Sequence, residues 1–227
     1  LIKANMDATL RDYYTTSIFY RIFIASMFRR YDKAIYLDCD ICVVDDISKM
    51  YNTEIGDNIF GCVIDEIVSS NPVLHDYARN AVGVEPSKYF NSGVLLINLK
   101  KYREEKIERK FVELMVKYNF QTIAPDQDYL NVLCKDKVFY MDAGWDKMTL
   151  DENLSGELHL IHYNMFKKPW LFDNVLYEEY FWKYAKLTPF YTQILSIKNS
   201  APKDSGGELR FPDSSPTAPA YSCSPEH

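Results

Sequence analysis

The sequence predicts an α/β fold with a mixed central sheet flanked by helices on both faces, and three observations carry the prediction. Short apolar runs of strand length recur as KAIYL (33–37), IFGCVI (59–64) and VLLINL (94–99). Segments with apolar residues three and four apart lie between and after them, the spacing of an amphipathic helix. The 227 residues are 47% hydrophobic and 15% aromatic, enough to bury a substantial core.

Each element has its own signal. SIFYRIFIASMFRR (17–30) repeats apolar residues at helical spacing behind Thr15, Thr16 and Ser17, which are capping residues, and predicts a helix. KAIYL is a buried strand running into Asp38, and IFGCVI is a second strand ending at Asp65. VLLINL is the third, and KKYREEKIERKFVELMVKYN (100–119) follows it as one amphipathic helix with Ile107, Phe111, Leu114 and Met115 on its apolar face. APDQDYLNVLC (124–134) opens a helix at Pro125, while KVFYMD (137–142) and ELHLIHY (157–163) are further short strands. Residues 177–198 are aromatic-rich and helical apart from Thr188–Pro189. Residues 1–198 are expected to form the folded domain. The Pro- and Ser-rich stretch 199–227, with five of the ten prolines, is expected to be a disordered tail.

Composition excludes several classes. A net charge of −6 argues against a general nucleic-acid binder. Five cysteines, at 39, 42, 62, 134 and 223, make no disulfide framework and point to a reducing, cytoplasmic compartment. No apolar run approaches the roughly 20 residues of a membrane span. The aromatic segment 177–198 suits core packing or a peripheral contact with a membrane-borne acceptor.

The stretch YLDCDICVVDD (36–46) interleaves two carboxylates, Asp38 and Asp40, with a Cys-x-x-Cys, Cys39 and Cys42. On an extended strand Asp38 and Asp40 share a face while the cysteines point to opposite faces. That favours a hard divalent cation on the aspartates and leaves the cysteines as small buried hydrophobes. A solvent-facing strand end would also account for a bare DxD. The carboxyl end of a strand, however, is where ligands bind in open α/β sheets.

Four segments, YDKAIYLDCDICVVDDI, YFNSGVLLINLKKY, DQDYLN and IHYNMFKKPW, occur in the order and approximate spacing of glycosyltransferase family 8, which the chain resembles over residues 12–190. That family includes bacterial lipopolysaccharide galactosyltransferases and glycogenin. The resemblance implies a GT-A nucleotide-diphospho-sugar transferase fold. It also implies retaining transfer of a hexose from a nucleotide-sugar, usually a UDP-sugar, to a glycan, lipid-linked or protein acceptor, with Mn²⁺ or Mg²⁺ as cofactor. A lipopolysaccharide-type acceptor would place the protein at the inner membrane.

By the same resemblance Asp38, Asp40 and His162 hold the metal. Asp38, Cys39, Arg21, Asn91, Ser92 and Lys168 contact the donor, and Asp126 and Gln127 bind the sugar beside its anomeric carbon, with Gln127 as a weak nucleophile or oxocarbenium stabiliser. Taken alone, His162 and His159 read equally as core histidines and Lys168 as a surface lysine. FNSG would be a turn, Asp126 a helix N-terminal acid and Arg21 a snorkelling side chain.

Two departures from the family pattern carry expectations. Met165 stands where the family has a glycine close to the phosphates, so a side chain there is expected to crowd the diphosphate or shift the loop. The chain starts after the strand and helix that bind the base, so it is expected to lack the first βα segment and to bind nucleotide weakly. An impaired fragment, or a non-catalytic sugar-binding scaffold, is the alternative. A haloacid dehalogenase-type phosphotransferase is a further one, disfavoured because Cys42 replaces the Thr or Val it needs after the second Asp.

Overall fold

The structure, a computed structural model, describes residues 16–118, 122–165 and 167–201. Seven strands run among the described residues: β1 (Lys33–Leu37), β2 (Ile41–Val43), β3 (Phe60–Cys62), β4 (Val94–Asn98), β5 (Val138–Tyr140), β6 (Lys147–Met148) and β7 (Leu160–His162). The mixed sheet is present, in the order β1-β4-β3-β5, with β4 antiparallel to both neighbours and β3 parallel to β5. There is also a second, three-stranded sheet in the order β2-β7-β6, of which the sequence signals β7, within ELHLIHY, but not β2 or β6. The sheets belong to separate compact units, the first containing residues 16–37 and 48–142 and the second 38–47 and 143–201 among those described.

In the first unit β4 is buried at Val94, Leu95, Leu96 and Ile97, the continuous apolar run of a strand covered on both faces. Phe60, Phe90, Leu95, Ile97 and Tyr102 form a core with Phe111, Tyr129 and Leu130. β3 approaches its neighbours closely at Gly61, where a Cβ would lie 3.1 Å from Ile55 Cγ2 and 3.3 Å from Leu96 Cβ.

Two of the expected helices differ. Residues Thr16–Phe23 form a 3-10 helix that passes into a short α-helix, Ile24–Met27, rather than one α-helix over 17–30. The buried side chains Phe19, Ile22 and Ala25 are three residues apart, the 3-10 repeat. The amphipathic segment 100–119 divides into Leu99–Glu104 and Ile107–Tyr118, with Lys106 in the left-handed region at φ 54°. Tyr102 and Ile107 are both buried but five residues apart, out of phase for one helical face, so the chain resets between them. From there Ile107, Phe111 and Met115 bury one stripe as their spacing predicts.

In the second unit Cys42, Ile161, Tyr163 and Val175 pack with Tyr180 and Phe181. Helices Glu178–Ala185 and Tyr191–Ser200 flank Thr188–Pro189, as expected. The second helix continues to Ser200, and residues 202–227 of the expected tail lie outside the described residues. No helix among the described residues is long and apolar enough to cross a membrane.

Candidate functional site

The second unit gathers a donor set suited to a cation. β1 ends at Leu37, the chain turns through Cys39 and Asp40, and β2 begins at Ile41, so Asp38 and Asp40 lie on a turn and not on the extended strand whose alternation was assumed. What brings them to His162 is pairing. Ile41 lies opposite His162 in the β2–β7 ladder, and the Tyr163 N–H donates to the Asp40 carbonyl at 2.9 Å. Ligand atoms of Asp38, Asp40 and His162 all lie within 4.8 Å of one another. His162 Nε2 is 3.4 Å from Asp40 Oδ1 and 4.0 Å from Asp38 Oδ2. Two carboxylate oxygens and one imidazole nitrogen fit Mn²⁺, and also Mg²⁺ where water or phosphate oxygens complete the shell.

Charge is concentrated here. His162 is 3% exposed, and its Nδ1 lies 2.8 Å from Asp146 Oδ1. Burial lowers the His162 pKa, but the carboxylates of Asp146 and Asp40 outweigh it and push the ring up to about 10. Burial likewise raises the Asp40 carboxyl, yet His162 and Lys168 together hold it well below the usual carboxylate range. The Lys168 ammonium donates to the Asp40 carboxylate and to the Tyr163 carbonyl. Met165 keeps the backbone conformation that a glycine would adopt, φ 57°, and its side chain is exposed. Cys39 is exposed, contrary to the expectation of two buried thiols, because the turn carries it outward, whereas Cys42 is buried on β2. His159 is held structurally, its Nδ1 2.6 Å from Asp45 Oδ2 and its ring stacked on Trp145 at 4.3 Å.

The first unit holds the remaining predicted residues in one hydrogen-bonded network. Arg21 is 7% exposed, so it is a buried ion-pairing side chain and not a snorkelling one. Its Nε lies 3.2 Å from Asp126 Oδ2, and its Nη1 donates to the Ser92 carbonyl at 2.6 Å and Oγ at 3.1 Å. Its guanidinium also covers the Tyr36 ring at 4.5 Å. Ser92 Oγ donates to Asp126 at 3.2 Å, and the Ser92 N–H donates to Gln127 Oε1 at 2.9 Å. Gln127 Nε2 and Asn91 Nδ2 each donate to Asp65 Oδ2 at 3.0 Å. The helix Pro125–Cys134, begun by Pro125, presents Asp126 and Gln127 from its first turn.

Asp65 and Asp146 escaped the sequence analysis as site residues. Asp65 carried a usable signal, since it closes an apolar run as Asp38 does. The structure makes it both the anchor of the Asn91 and Gln127 amides and the N-cap of Glu66–Ser70, accepting from the Val68 N–H at 2.9 Å. Asp146 had none: GWD becomes informative only once β6 lies beside β7, with Met148 opposite His162.

Residues 2–174 match the family described as Glycosyl transferase family 8. A Haemophilus influenzae protein described as a glycosyltransferase is 30% identical over 157 residues, covering 69% of this chain and 46% of its own length. The lipopolysaccharide 1,2-glucosyltransferase of Escherichia coli K12 is 28% identical over 153 residues, 61% of this chain and 44% of its own. This chain therefore spans about half the length of either relative. Among solved structures, the galactosyltransferase LgtC in complex with donor and acceptor sugar analogues superposes with a TM-score of 0.66 at 26% identity, over 86% of this chain and 70% of that one. The bifunctional glycosyltransferase WbbM in its apo form superposes at 0.70 with 21% identity, over 84% and 39%, and bears on the fold alone. The fold is the GT-A type shared by these enzymes.

Proposed function

The chain belongs to glycosyltransferase family 8, and from that premise we propose that it transfers a hexose from a nucleotide-sugar of the UDP class to a glycan or lipopolysaccharide-type acceptor, retaining the anomeric configuration. The observation that carries this is the grouping of Asp38, Asp40 and His162, whose ligand atoms lie within 4.8 Å of one another. A Mn²⁺ or Mg²⁺ ion held by them would supply Lewis-acid stabilisation of the departing diphosphate. Lys168 serves as a charge-assisted donor to a phosphate oxygen once it leaves Asp40.

On the sugar side the chain's own groups are held in place before substrate arrives. Asp126 is fixed by Arg21 and Ser92, and it orients sugar hydroxyls. Gln127 is held at both ends of its amide, so its orientation is set. A neutral amide oxygen is a weak nucleophile, suited to stabilising an oxocarbenium-like centre without bonding to it. Retention then follows from departure and attack on the same face.

The test is release of UDP from a panel of UDP-sugars by the purified chain with Mn²⁺. Turnover should vanish with EDTA and return with Mn²⁺, and Asp38→Asn and Asp40→Asn should each lose at least 100-fold. Unchanged turnover in both variants would refute the metal assignment. Release from no nucleotide-sugar tried would refute the transfer reading.

A further inference from the structure

We propose that Asp146 is a positioning residue for the cation site, fixing the His162 ring so that Nδ1 carries the proton and Nε2 faces Asp38 and Asp40 with its lone pair. The inference rests on the cation site proposed above and assigns the part of it that the sequence motifs do not contain. Asp146 ends the 3-10 turn Ala143–Asp146, directly before β6, and is 1% exposed. β6 runs parallel to β7 and aligns Met148 with His162, which brings the Asp146 carboxylate behind the imidazole. Nδ1 and Oδ1 are 2.8 Å apart.

The chemistry follows from what each group can do. An ionised carboxylate only accepts hydrogen bonds, so the proton of that contact belongs to Nδ1. A singly protonated ring then has its lone pair on Nε2, the nitrogen 3.4 Å from Asp40 Oδ1 and 4.0 Å from Asp38 Oδ2. The opposite tautomer would aim an N–H at the cation and repel it. At 3% exposure the ring has little access to solvent that could hold it in another way. A carboxylate behind the ring also raises the basicity of the ligating nitrogen.

The experiment titrates MnCl₂ into the full chain by calorimetry, without nucleotide, for wild type, Asp146→Ala, Asp146→Asn and Asp40→Asn. Asp146→Ala should weaken Mn²⁺ binding roughly 10–100-fold. Asp146→Asn, whose side-chain oxygen still accepts from Nδ1, should recover most of that loss. Nitrogen-15 NMR of the wild-type histidine rings provides a readout that does not depend on a variant folding. The His162 Nδ1–H signal should be present in metal-free protein and persist on Mg²⁺ saturation, while the Nε2–H signal disappears. Wild-type affinity in Asp146→Ala, no recovery in Asp146→Asn, or a metal-loaded ring without the Nδ1 proton would each overturn the proposal. Wild-type affinity in Asp40→Asn, or no Mn²⁺ binding by the wild type, would instead overturn the cation site. The Nδ1–H signal of the metal-free ring would still report on the Asp146 contact in that case.

Discussion

Replacing Lys168 by methionine should tighten Mn²⁺ binding in the absence of nucleotide. The Lys168 ammonium sits on the Asp40 carboxylate, an oxygen donor that the cation needs. A divalent ion at Oδ1, the oxygen that faces His162, would therefore meet a carboxylate whose charge is already shared with an internal cation on Oδ2. Two unit charges 4 Å apart attract by about 4 kcal/mol at an effective dielectric of about 20, whereas solvent-exposed pairs are worth about 1 kcal/mol or less. The Lys168 and Asp40 side chains keep 16% and 23% exposure. Sharing the carboxylate with the ammonium should then cost the ion about 1–2 kcal/mol, intermediate between those limits. Methionine keeps most of the stem and removes the charge, so the Kd for Mn²⁺ should fall about 5–30-fold. The signal of free Mn²⁺ in electron paramagnetic resonance measures this directly. UDP binding with Mn²⁺ present should change in the opposite sense, because the proposed phosphate donor is gone. Unchanged or weaker Mn²⁺ binding by Lys168→Met would refute the idea that lysine and metal compete for Asp40.

Asp128 accepts from the Tyr77 and Tyr89 hydroxyls at 2.6 Å and from the Ala124 N–H at 3.0 Å, yet complete burial outweighs these bonds and pushes its carboxyl up to about 6 from 3.8. Its contribution to stability is thus complete below pH 3.8 and lost as pH rises through about 6. Wild type should lose about 3 kcal/mol relative to Asp128→Asn over that window. Urea unfolding at pH 4 and pH 7 measures the difference, and parallel pH curves for the two proteins would contradict it. Asp65→Ala removes a helix cap and the shared acceptor of the Asn91 and Gln127 amides, and should lower stability by about 2–4 kcal/mol. The same variant frees Gln127 and should slow transfer. An unchanged unfolding midpoint would show that the network is dispensable.

The parts of this architecture written in local pattern were legible. KAIYL and VLLINL are apolar runs of strand length, and each became a strand within a residue of its predicted end. Pro125 marked the start of its helix, since a missing N–H costs nothing there. What escaped depends on partners distant in sequence. β2 and β6 are three and two residues long, too short to show a period, and exist because β7 pairs with both. The break at Lys106 has no glycine or proline to announce it and follows from which side chains the core accepts. Asp38, Asp40 and His162 were found through motif order rather than through geometry, and the strand alternation offered in support of the two aspartates does not exist on a turn. Arg21 and Ser92, ambiguous in sequence, became informative as members of one buried network.

The Cys-x-x-Cys that competes with the aspartates in the sequence has a role in the site after all, though not as chemistry. Cys42 pairs with Ile161 in the β2–β7 ladder and packs with Ile161, Tyr163 and Val175. Because side chains alternate along a strand, a slip of one residue in this ladder would exchange the faces presented by β2 and β7. His162 would then be carried away from the carboxylates, and the Asp40 carbonyl would lose the Tyr163 N–H that now fixes the turn. Three residues of β2 supply few hydrogen bonds to resist such a slip, so the register depends on what the middle residue buries. A small apolar thiol fits that position, and burial pushes its pKa up to about 11, which keeps it a neutral packing group rather than a thiolate ligand. The candidate cation site is therefore specified twice, by the aspartates that would bind and by the cysteine that keeps Ile41 opposite His162 and the Asp40 carbonyl on the Tyr163 N–H.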